Sequence, residues 1–83
     1  MSEKESKPSA EDNIVINELT KLIEKDAHTQ SLTVAQLALS ELAKGQINSA
    51  LLSLRIDRDK LLSSNRELYD YLTALLKERG LPN

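Results

Sequence analysis

Residues 48–78 read NSALLSLRIDRDKLLSSNRELYDYLTALLKE, and the fold class follows from this stretch. It contains neither glycine nor proline, and most of its apolar residues are leucine or alanine. These residues favour helix, whereas strands favour β-branched and aromatic side chains. The stretch therefore predicts one continuous helix, which Gly80 and Pro82 terminate just beyond Glu78.

Leucine recurs at every seventh position of this helix, and Asn65 lies between two of these leucines. A leucine row with one interior asparagine resembles a leucine zipper, in which the buried amide favours a parallel pair of helices in register. We therefore predict an all-α fold that dimerises as a coiled coil. The predicted homodimer interface consists of Leu51, Leu54, Leu61, Asn65, Leu68, Leu72 and Leu75.

The apolar stripe of this helix is wider than a two-stranded coiled coil needs, because Leu62, Tyr69 and Leu76 flank the leucine row. A wide stripe also fits a buried helix of a monomeric bundle, or a helix that pairs with a different chain. Tyr69, Tyr71 and Leu76 are the residues that we predict to contact a partner protein.

The remaining chain predicts two shorter helices, over residues 11–26 and 33–44. Thr33 and Gln36 have the spacing of a capping box, and Leu32 and Leu37 have the spacing of a hydrophobic staple. Gly45 follows the second helix and is typical of a helix end. We predict a three-helix module that forms a single domain over residues 11–83, preceded by a flexible polar tail at residues 1–10.

Composition argues against an enzyme and against a cofactor or metal site. The chain has no cysteine and a single histidine, His28, which lies in the polar connection between the two shorter helices. One histidine in such a connection is more typical of a solvated loop than of a catalytic base. The chain also contains no phosphate-binding or metalloprotease motif.

These observations predict a small protein–protein interaction module, a homodimeric regulator, adaptor or subunit of a larger complex. The alternative is a nucleic-acid-associated transcriptional regulator. Residues 11–47 carry three basic and six acidic side chains, which disfavours contact with phosphates. No apolar run is long enough to span a membrane, so we expect a cytoplasmic protein, or a nuclear one in a eukaryote.

Overall fold

The computed structural model describes residues 10–83, and every regular element in this part of the chain is a helix. Six helices follow one another: α1 (Ala10–Glu24), α2 (Ala27–Gln30), α3 (Thr33–Ala43), α4 (Ile47–Ile56), α5 (Arg58–Ser64) and α6 (Arg66–Glu78). The all-helical prediction is therefore confirmed. Of the predicted tail, residues 1–9 lie outside the described residues, and Ala10 is already the first residue of α1.

The prediction of a single helix over residues 48–78 is wrong, because the chain bends at Asp57 and again at Asn65 to form α4, α5 and α6. Asp57 ends α4 and precedes α5, with φ −111° and ψ 28° and no capping bond from its side chain. Neither bend contains glycine or proline, so residue propensity alone could not reveal them. The bends let the leucines of one chain face a common core.

The bend at Asn65 is stabilised by a buried polar network. The Asn65 side-chain oxygen accepts a hydrogen bond from the Leu68 amide at 3.2 Å and so caps α6. Its Nδ2 donates to the Leu22 carbonyl and to the Thr29 hydroxyl, both at 3.0 Å. The Thr29 hydroxyl in turn donates to Asp26 at 2.6 Å. One amide thereby connects the end of α1, the short helix α2 and the start of α6.

The connection between the first two predicted helices is itself partly helical. Asp26 caps α2 by accepting hydrogen bonds from the backbone N–H and the hydroxyl of Thr29. Those two bonds, with a smaller effect from the neighbouring cations, hold the pKa of the Asp26 carboxyl below its ordinary value. Thr29 is fully buried, whereas His28 is exposed.

Two helix ends occur where glycine predicts them. Gly45 and Gly80 have φ values of 79° and 70°, in the left-handed region that glycine adopts at little cost. After α3 the Gln46 amide donates to the Glu41 carbonyl at 2.9 Å, and after α6 the Leu81 amide donates to the Leu76 carbonyl at 2.8 Å. Both are the backbone bonds of a Schellman motif.

The predicted capping box at the start of α3 does not form. Leu32 precedes the helix as its N-cap and provides no side-chain bond, so Thr33 is already inside the first turn. The Gln36 side chain donates instead to the Gln30 carbonyl at 2.6 Å, across the join between α2 and α3. The helix boundary was predicted correctly, but its capping residue was not.

The core lies between the α3–α4 hairpin on one side and α1, α5 and α6 on the other. Helices α1 and α6 run antiparallel, since Asp12 pairs with Arg79 at one end and Lys25 pairs with Glu67 at the other. The buried apolar residues are Leu19, Leu22, Ile23, Ala35, Ala38, Leu42, Ile47, Ala50, Leu51, Leu54, Leu61, Leu68, Leu72, Leu75 and Leu76.

Candidate protein-docking groove

The residues predicted to form a homodimer interface are buried inside the single chain. Their leucines are 0–4% exposed and Asn65 is 7% exposed. Because these side chains already contact the chain's own core, this fold does not present them to a second copy. Dimerisation itself stays a prediction, and in this fold a dimer has to use other residues.

The three residues predicted to contact a partner differ in their exposure. Leu76 is fully buried and belongs to the core, so this fold does not present it to a partner, and its partner contact stays a prediction. Tyr69 and Tyr71 are only partly buried and pack against the edge of the core. The Arg66 guanidinium lies over the Tyr69 ring, 5.8 Å from its centroid. Tyr71 lies in a groove on the surface.

This surface feature, which we call the α1–α6 groove, is a shallow, largely open depression of about 590 Å³ between the two antiparallel helices. The side chains that line it are Ile14, Glu18 and Leu22 from α1 with Glu67, Asp70, Tyr71 and Ala74 from α6. Ile14 is 65% exposed, although it is a large apolar residue. The groove thus offers an apolar floor that no part of the described chain covers.

Every charged residue that lines the α1–α6 groove is acidic. Glu18, Glu67 and Asp70 each have a basic neighbour just outside the groove, namely Lys21, Lys25 and Arg66. These pairs are solvent-exposed, and exposed pairs typically contribute only ~0–1 kcal/mol. A cation from another molecule can therefore replace them at little cost, so the groove favours a basic ligand.

The pKa of Tyr71 is affected by burial and by nearby carboxylates. Burial, together with the carboxylates of Glu18 and Glu78, raises the pKa of the Tyr71 phenol above its ordinary value. The phenol therefore stays protonated and neutral near pH 7, and its hydroxyl can donate a hydrogen bond. A ring beside Ile14 and a polar hydroxyl at the rim are typical of protein-binding surfaces.

Sequence reasoning identified Tyr71 but missed the other residues of the groove. The sequence feature that could have revealed the groove was the run Ile14-Val15-Ile16, because three successive side chains of a helix cannot all face one core. Ile14 is the member of the run left exposed. The pairing of α1 with α6 could not be foreseen, because α6 was expected to continue one straight helix from residue 48.

The described residues contain no cluster of three or more His, Cys, Asp or Glu side chains that could hold a metal ion. Among the same residues, no helix has the length and apolar character required to cross a membrane. Comparisons of the chain with protein-family models, with curated proteins and with solved structures found no match.

Proposed function

We propose that this chain is a small protein–protein interaction module that binds a basic amphipathic helix of a partner protein in the α1–α6 groove. The observation that carries the proposal is the exposed apolar floor around Ile14 and Tyr71 with acidic side chains along its rim. Amphipathic helices commonly bind in grooves of this kind, with apolar residues at positions i, i+3, i+4 and i+7 as anchors.

The dimensions of the groove support a helical occupant. The residues that line it run from Ile14 to Leu22 on α1, which corresponds to about 12 Å of helix axis at ~1.5 Å per residue. A third helix can contact this stretch over about two turns and lie along the two antiparallel helices, as helices do in a bundle. Its apolar face would cover Ile14, Tyr71 and Ala74, and its Lys or Arg side chains would reach Glu18, Glu67 and Asp70.

The proposal can be tested with two designed peptide probes. Both are 18-residue helices with the same leucine face, and they differ only in that one carries lysine where the other carries glutamate. We expect the lysine peptide to bind about 3- to 150-fold more tightly at low salt, since three exposed ion pairs at ~0.2–1 kcal/mol each contribute ~0.6–3 kcal/mol in total. Amide chemical shifts should change at Ile14, Tyr71 and Ala74.

A matched pair of variants locates the binding site. Ile14→Asp places a charge on the floor of the groove and should abolish peptide binding. Leu37→Asp makes the same kind of change at a 50% exposed leucine of α3, outside the groove, and should leave binding unchanged. Equal binding of both peptides, or equal effects of both variants, would contradict the proposal.

The alternative of a nucleic-acid-associated regulator has weaker support. The described basic residues that could meet phosphates, Arg55, Arg58 and Lys60, alternate with Asp57 and Asp59. Lys60 also pairs with Asp57 at 3.9 Å. Interleaved charges do not form the basic stripe that phosphate backbones select.

A further inference from the structure

A second exposed apolar residue lies at the bend between α4 and α5, where Ile56 is 71% exposed. Arg55, Arg58 and Asp59 surround it and line a surface cavity of about 350 Å³ with it. We call these four residues the α4–α5 patch. Two guanidinium groups against one carboxylate give this patch the opposite charge to the α1–α6 groove.

Arg55 has no carboxylate partner in the described part of the chain. In a continuous helix Arg55 and Asp59 would be four residues apart on one face and could pair. In the observed fold Asp57 interrupts the helix between them, and within residues 10–83 the two side chains form no ion pair. Its Nε atom is buried and donates no hydrogen bond in the described part of the chain. The Arg58 guanidinium contacts only a neutral acceptor there, the Asn83 side-chain oxygen, at 2.6 Å.

We propose that a second copy of this chain is one occupant of the α1–α6 groove, and that it inserts its α4–α5 patch. This inference rests on the proposed function, because it uses the same groove. Ile56 of one copy would cover Ile14 and Ala74 of the other. Arg55 and Arg58 would meet Glu18, Glu67 and Asp70, so both the apolar and the charged parts of the two surfaces are complementary.

The contact is heterologous, because the groove and the patch consist of different residues. Every copy carries one groove and one patch and can accept and donate at the same time. The predicted leucine seam has no part in this association, so the core of each copy stays intact. A partner helix that fills the groove would displace the second copy, and self-association would then compete with partner binding.

The test is a complementation experiment measured by sedimentation equilibrium over a concentration series. Ile56→Asp removes the donor surface and Ile14→Asp removes the acceptor surface; both side chains are largely exposed, so both variants should fold. Wild-type mass should rise with concentration, whereas each variant alone should associate about 10- to 100-fold more weakly. An equimolar mixture should recover a one-to-one complex, since the patch of Ile14→Asp can still enter the groove of Ile56→Asp.

Leu37→Asp is the matched control, and it should self-associate as the wild type does. A mixture that stays monomeric, or a wild type that is monomeric at millimolar concentration, overturns the inference. The lysine peptide separates this failure from failure of the proposed function. Ile56→Asp should bind that peptide at least as tightly as the wild type even where no self-association occurs, and the peptide should dissociate wild-type assemblies.

Discussion

Replacement of Asn65 by alanine should destabilise the folded chain severely, because this side chain holds the bend between α5 and α6. It accepts one hydrogen bond from the Leu68 amide and donates two, to the Leu22 carbonyl and the Thr29 hydroxyl. Loss of the cap costs ~1 kcal/mol. Leaving buried acceptors unsatisfied costs a further ~1–3 kcal/mol. We therefore expect Asn65→Ala to lower the free energy of unfolding by about 2–4 kcal/mol.

Urea unfolding followed by circular dichroism at 222 nm measures this loss directly. In a domain of this size the same loss lowers the melting temperature by roughly 8–32 °C. Asn48→Ala is the matched control, because Asn48 is exposed and its side chain accepts one surface hydrogen bond from Arg79. Its effect should stay within about 0.5 kcal/mol. An Asn65→Ala effect no larger than this would refute the role assigned to the network.

The same position separates the observed fold from the zipper-like seam. In a zipper, leucine at an interior asparagine position stabilises the assembly and loosens its stoichiometry. In the observed fold, Asn65→Leu removes all three hydrogen bonds, including the one that caps α6, and adds bulk beside Thr29, so it should destabilise the chain. Thr29→Val combined with Asn65→Ala should be less damaging than the sum of the single changes, because both disrupt one network. A more stable Asn65→Leu variant with an increased mass would instead favour the continuous helix.

Three further predictions concern single residues. The lowered pKa of Asp26 means that its ionised form favours the folded state, so its contribution is complete above the unfolded pKa and is lost as pH falls through the folded pKa; the difference in unfolding free energy between wild type and Asp26→Asn should accordingly be greater at pH 7 than in acid and should shrink as pH falls through the folded pKa. Leu76→Ala should lower the free energy of unfolding, measured with urea, by about 2–5 kcal/mol, since Leu76 is a fully buried core residue. A loss below about 1 kcal/mol would contradict the burial of Leu76. Gly45→Ala should lower the free energy of unfolding by about 1–2 kcal/mol, because alanine must adopt a φ near 79° there. A melting temperature equal to or above that of the wild type would contradict that conformation.

The predictions of functional residues depend on how the helices pack. Tyr71 could be identified from the sequence because an aromatic residue among leucines and acidic side chains is conspicuous. Its companions Ile14 and Ala74 come from helices 60 residues apart in the chain, and only their antiparallel pairing brings them into one groove. Apart from Asn65, the residues chosen from the heptad pattern were leucines, which are strongly apolar. For that reason they were also the ones that the chain's own core buried.

What the sequence determined by itself was local. Helix content follows from residue propensity, and the ends of α3 and α6 follow from Gly45 and Gly80, because only the conformation of a few neighbouring residues decides them. The tertiary structure decided whether the leucine row faces a second chain or the same one. That choice depends on two bends, and the bend at Asn65 is held by hydrogen bonds to residues 43 and 36 positions away in the chain. A periodic pattern specifies which side of a helix is apolar, but contacts over such distances decide what covers it.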